Sequence, residues 1–202
     1  MFYRYRIFFG IVLLVLLESV WINSMRQLTN FLGDKNSRQK ETIRSSEQAI
    51  REELSCFPIP TGYRNRITYI DSYGAARENG GHEGCDIMDR ENQAGTIPVV
   101  SATRGVVTNA GWLYLGGYRI GITSDSGIYY YYAHLDSYAA GIETGKEIQP
   151  GQLLGFMGNT GEGEEGTRGR FDTHLHFGIY IKDTEGNEQS VNPYPFLLEI
   201  GY

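Results

Sequence analysis

Apolar and polar positions along the chain fall into three regimes. Residues 7–17 form an unbroken apolar run, and aromatic residues such as Tyr5 and Trp21 flank it. Residues 23–54 are polar and mixed in charge, with Met25, Leu28, Phe31 and Leu32 at helical spacing and Ile43, Ile50 and Leu54 at intervals of seven and four. From residue 55 the pattern becomes short alternations of period two between Gly, Asn and Asp clusters, which predicts strands and turns. The clearest alternation sets Thr173, Leu175, Phe177, Ile179 and Ile181 against His174, His176, Gly178 and Tyr180. A strand buried on one face results, with both histidines on the other, ~7 Å apart at their α-carbons.

Residues 97–100, 105–107 and 119–122 read as further short strands. Residues 127–135 read as another, with Ile128, Tyr130, Tyr132 and His134 on one face and a turn signal at Asp136 and Ser137. Residues 144–161 alternate short strands with glycine turns. The acidic, Gly-rich loop 162–172 is expected to be mobile or to face a substrate. Asn192, Pro193 and Pro195 break the last strand, and a short apolar tail follows. With 202 residues, 41% of them apolar, and 26 glycines, the chain fits one all-β domain plus an appendage.

The appendage reads as a cytoplasmic tip over 1–6, a transmembrane anchor over 7–22 and a polar stalk over 23–54, followed by the domain at 55–202. The apolar run alone is short of the ~20 residues that span a bilayer, but its aromatic flanks bring it close. Arg6 and Glu18 are placed to snorkel to the two interfaces. A cleaved signal peptide fits less well, because no alanine precedes Ala49 and no small-x-small site follows the run. Arg4 and Arg6 face Arg26, Lys35, Arg38 and Lys40 across the span, so charge alone leaves its orientation undecided. The stalk is expected to be partly helical and interrupted near Gly33, Asp34 and Ser37.

Charge removes one class of function. From residue 55 onward the chain has 10 basic and 18 acidic residues, a formal charge of −8. Such a domain repels polyanions, which excludes nucleic-acid binding through phosphates.

The candidate chemistry lies with the four histidines. Gly80, Gly81 and Gly84 around His82 argue against a helix and for a bend that delivers His82 and Asp86 to one point as a strand begins. A zincin helix is excluded, since it needs a second His where this chain has Asp86. His82 with Asp86, Tyr132-Ala133-His134-Leu135, Gly155-x-Met157-Gly158-Asn159-Thr160-Gly161 and His174-Leu175-His176-Phe177 occur in an order that resembles the lysostaphin-type zinc metallopeptidases, the M23 family of cell-wall endopeptidases. The resemblance covers roughly residues 56–196.

It implies an antiparallel, lysostaphin-type β fold, zinc held by His82, Asp86 and His176, and His134 and His174 acting on the water and the transition state. Catalytic zinc keeps three protein ligands and one open position, where water has its pKa lowered to about 7. His174 is the candidate general base, and His134 the candidate for stabilising the oxyanion or protonating the leaving amine; the two roles are interchangeable at this level. The resemblance also implies a peptidoglycan peptide as substrate and a domain on the extracytoplasmic side of the cell membrane. Many members have a short Gly-Ser-rich loop ending in Pro where this chain has 162–172, so the bond cut is not fixed. An outward-facing domain permits a Cys56–Cys85 disulfide; two buried thiols are the equal alternative. The competing function is a zinc-binding, non-catalytic scaffold or activator in wall remodelling or a sporulation channel.

Overall fold

Leu175, Phe177, Ile179 and Ile181 are all buried, as their alternation predicts, and the strand that carries them is the hub of the sheet. The computed structural model describes residues 2–77 and 80–201, with side chains from residue 20 onward. Helix α1 is Phe2–Glu53, and a 3₁₀ turn, Thr61–Arg66, leads into the strands. These are β1 Ile67–Tyr69, β2 Ala76–Arg77, β3 Gly80–Gly81, β4 Cys85–Asp89, β5 Pro98–Val100 and β6 Gly105–Leu113. They continue as β7 Gly117–Thr123, β8 Tyr129–Tyr138, β9 Glu147–Ile148, β10 Leu153–Met157, β11 His174–Lys182 and β12 Glu188–Val191, before helix α2, Tyr194–Ile200.

Among the described residues ten strands form one sheet in the order β1-β4-β11-β8-β7-β6-β9, with β12 on β11 and β10 between β5 and β8. The pairings are antiparallel, and β2 and β3 form a separate ribbon. Ile87 from β4, Tyr130 and Tyr132 from β8 and Phe177 from β11 are fully buried on one face. Tyr132 donates no charge to that core, because burial pushes its phenol well above the ordinary range, and its hydroxyl accepts a bond from the Ala102 amide at 2.9 Å. The opposite face carries the histidines.

The chain divides into two units, Met1–Arg44 and Ser45–Tyr202. Within the first, α1 runs without a break through Gly33, where the sequence predicted an interruption. Ser37 Oγ donates to the Gly33 carbonyl at 2.9 Å and Arg38 pairs with Asp34 at 2.6 Å, and the exposed pair returns only part of the cost of about 1 kcal/mol for glycine in a helix. The expected tip and most of the expected anchor, up to residue 19, lie outside the residues whose side chains are described. Among the described residues no helix is long and apolar enough to cross a membrane. The second unit takes in the last turns of α1, which composition groups with the stalk. Ile50 and Leu54 are buried there, and Glu53 accepts from the Tyr130 hydroxyl at 3.1 Å.

The disulfide is not formed: Cys56 and Cys85 are both free thiols. Each turns to a different carbonyl, Cys56 to Ser101 at 3.2 Å and Cys85 to Ile70 at 3.6 Å. Burial, then the charges of Asp86 and Asp71, push the Cys85 thiol up to about 12, so it stays protonated and unreactive in the fold. In denaturant without reductant both cysteines are expected to take up a thiol reagent, whereas Cys85 should resist it in the native protein. Mass spectrometry that found neither labelled after denaturation would restore the bridge.

Candidate metal centre

Strand register puts the first two candidate ligands side by side. In the antiparallel pair of β4 and β11, Asp86 lies directly across from His176, and such partners have Cβ atoms about 4.5–5.5 Å apart. His82 comes from the bend between β3 and β4. Its Nε2 sits 2.9 Å from His176 Nδ1 and 3.0 Å from Asp86 Oδ1, and His176 Nδ1 lies 3.0 Å from the same oxygen. One ligand atom from each residue therefore falls within 4.8 Å of the other two.

Outer contacts aim these atoms. His82 Nδ1 donates to the Ser72 carbonyl at 2.9 Å, which leaves the Nε2 lone pair facing the cluster. Arg77 Nη2 donates to Asp86 Oδ2 at 2.6 Å and leaves Oδ1 turned inward. Burial alone would raise the Asp86 pKa, but the imidazoles of His176, His82 and His174 gathered around it hold it well below the usual carboxylate range. Sequence reasoning missed Arg77 and Ser72. Nothing in the chain marks them, since they reach the site only through the β2–β3 ribbon and the loop before it.

His174 and His134 stand beside this cluster. His174 Nδ1 donates to the Asp172 carbonyl at 2.7 Å, and His134 Nδ1 to the Thr160 carbonyl at 2.8 Å. Both rings consequently present a bare Nε2 to the site. Their centroids are 4.6 Å apart, and Phe171 packs on both, at 4.6 Å from His134 and 5.1 Å from His174. Burial lowers the His174 pKa. Burial, with repulsion from His174 and His176, pushes His134 down to about 3. Both are neutral near pH 7.

The way His134 gets there corrects the predicted alternation. Tyr130 and Tyr132 face the core, and a regular strand would send His134 after them. Instead His134 has φ 62°, in the left-handed region that non-glycine residues rarely adopt. That one residue reverses the alternation, so Leu135 enters the core and His134 turns to the histidine face, 6.0 Å from His176 between ring centroids. Strain held at a functional side chain in this way is a recurring feature of active sites.

Loop 162–172, predicted to be mobile or substrate-facing, is tied down at several points. Arg168 pairs with the Asp136 carboxylate and donates to its carbonyl at 2.9 Å, and Trp112 Nε1 donates to the Gly163 carbonyl at 3.1 Å. Glu162 still lines a groove of about 1100 Å³ that opens over His82, His134 and His176. The loop thus contributes Glu162 to that groove and Phe171 to the packing on His134 and His174.

Residues 80–193 match the sequence profile of Peptidase family M23. The chain is 44% identical over 144 residues to an L-Ala–D-Glu endopeptidase of Bacillus subtilis (strain 168), a match that covers 70% of this chain and 42% of that protein. It therefore spans less than half of that relative's length. Among solved structures it is similar to a putative glycyl-glycine endopeptidase lytM from Ruminococcus gnavus, at 51% identity and a TM-score of 0.71, over 77% of this chain and 64% of that one. The catalytic domain of lysostaphin from Staphylococcus simulans aligns at 26% identity and a TM-score of 0.52, over 69% of this chain and 98% of that one.

Proposed function

The chain belongs to peptidase family M23, and on that premise we propose that it is a zinc-dependent endopeptidase that cuts a peptide bond of peptidoglycan. The observation that carries this reading is the convergence of His82 Nε2, Asp86 Oδ1 and His176 Nδ1 within 4.8 Å of one another. Two imidazoles and one carboxylate suit zinc, and three protein donors are the number a catalytic site uses. His82, Asp86 and His176 would hold the ion. When bound, zinc supplies a Lewis acid for the scissile carbonyl and brings the pKa of water toward neutrality.

The neighbouring histidines then handle the proton. Each presents a bare Nε2, so each accepts a proton before it donates one. Their 4.6 Å separation makes a second positive charge unfavourable, and the pair holds one proton at a time. His174 Nε2 takes it from the attacking water, and the proton is then returned to the leaving nitrogen from the same side of the groove by whichever of His174 and His134 holds it. Phe171 shields both rings from water.

The L-Ala–D-Glu bond is the first candidate for cleavage, from the 44% identical relative. Anchoring through 7–22, with the domain on the extracytoplasmic side, is part of the same proposal. The apolar sequence of that run supports it, and so do Val20, Trp21 and Ile22, which remain exposed on α1. The test is mass spectrometry of fragments that the zinc-loaded chain releases from purified peptidoglycans of different cross-link type. New amino termini at one defined bond, absent with His134→Ala, are the expected result. No release from any wall type by folded, zinc-loaded protein would favour a non-catalytic scaffold.

A further inference from the structure

The groove contains a cation that the chemistry above does not use. Arg119, on β7, lines it together with Tyr129, Tyr131 and Tyr180. Its Nη1 is buried and has no hydrogen-bond partner among the described residues. A buried guanidinium nitrogen left in that state is costly, which marks it as a donor awaiting an acceptor. The backbone keeps the place open, because Arg119 sits at an irregularity of the β7–β8 register and its partner across β6 is Gly111, which has no side chain to cover it.

The tyrosines give the groove its floor. Tyr131 lies 5.9 Å from the His176 ring, 6.3 Å from Tyr129 and 6.4 Å from Tyr180, so one aromatic surface runs from the ligand cluster toward Arg119. A side chain at Gly121 would meet the Tyr129 hydroxyl at 1.9 Å; glycine there lets the ring lie along the sheet. Elsewhere the groove is edged by the carboxylates of Glu83, Glu162 and Glu188. Arg77, which also lines the groove, is taken by Asp86. An anionic group entering the groove meets repulsion along its edges, the exposed ammonium of Lys182 and, in the buried part, the unpaired Nη1 of Arg119.

We propose that Arg119 anchors a carboxylate of the peptide substrate, and so selects peptides with a free acid over those in which that acid is an amide. The proposal rests on the peptidase reading and deepens it. A guanidinium holds a carboxylate by paired N–H bonds, whereas an amide at the same place offers a single neutral oxygen.

The probes are two synthetic peptides containing an L-Ala–D-Glu bond, identical except that the glutamyl carboxyl outside the chain is free in one and an amide in the other. Their Kd for zinc-loaded full-length His134→Ala is measured together with their kcat/KM for the unmodified chain. The acid peptide is expected to be favoured roughly 10- to 100-fold in both. Arg119→Gln should bring the acid down to the amide and leave the amide unchanged, and Arg119→Lys, which keeps the charge, should retain part of the preference. Equal Kd for the two peptides, or an equal loss for both in Arg119→Gln with unchanged melting temperature, overturns the role of Arg119. No cleavage of either peptide, with the acid preference in Kd intact and lost in Arg119→Gln, supports Arg119 as a carboxylate anchor and strikes the peptidase reading alone.

Discussion

Replacing His134 by alanine is expected to lower turnover by about 10²–10⁴-fold and to leave one zinc bound per chain, whereas His176→Ala should lose both zinc and activity. The geometry separates the two residues. His176 Nδ1 is within 3.0 Å of Asp86 Oδ1 and is one of the three atoms that could hold a metal ion, while His134 bonds Thr160 and makes only ring contact with the cluster. Metal analysis of both purified variants beside their peptidase rates checks the division. Equal zinc loss in the two would end it.

The same residue sets part of the acid sensitivity of the metal-free protein. His134 is pushed down to about 3 in the fold, by burial first and by its histidine neighbours second, against an ordinary value of 6.5. The unfolded chain therefore takes up a proton below pH 6.5 that the folded one refuses. Stability from this group is complete above pH 6.5 and drains away as pH falls toward 3. With chelator present, denaturation midpoints measured from pH 7 to 4 should fall less steeply in His134→Ala than in the unmodified chain. The slope should not vanish, because burial lowers His174 as well.

The behaviour of His134 also shows where the sequence is legible. Along β11, alternation was enough: Leu175, Phe177 and Ile179 went to the core and His174 and His176 to the other face, because a regular strand has a fixed period of two. On β8 the same rule put His134 on the wrong face, since one left-handed residue reverses the period and hydrophobicity carries no trace of it. The bend around His82 was readable from its glycines. Arg77, Ser72 and Phe171 were not, because Arg77 reaches Asp86 from the β2–β3 ribbon, Ser72 acts through its own carbonyl and Phe171 packs on His134, which is distant in sequence. Gly33 misled in the other direction, as a local cost of about 1 kcal/mol is too small to break a 52-residue helix. Arg119 had no signal at all, being one of 18 basic residues until the fold placed it in a groove.

Gly84→Ala is expected to weaken zinc binding by roughly 10- to 100-fold and to destabilise the fold by about 1–3 kcal/mol. The sequence offers Gly84 as a turn residue, but the structure gives it a different task. A Cβ there would stand 2.5 Å from His176 Cε1, 2.6 Å from its Nε2 and 2.7 Å from the Phe177 carbonyl. The carbonyl belongs to the central strand and has nowhere to go, so the imidazole must turn instead, and turning it takes Nδ1 away from Asp86 and His82. The geometry thus couples one methyl group to the metal site without touching any ligand's chemistry. Gly62→Ala is the matched control, since nothing lies within 4 Å of a Cβ at that position. Zinc titration and thermal melts of the two variants, with and without chelator, separate the effects: Gly84→Ala should lose about 1.4–2.7 kcal/mol of the stabilisation that saturating zinc gives, and Gly62→Ala none. Full zinc affinity in Gly84→Ala would mean that β4 and β11 spread to admit the methyl, and that the His176 ring is held less tightly than its hydrogen bonds imply.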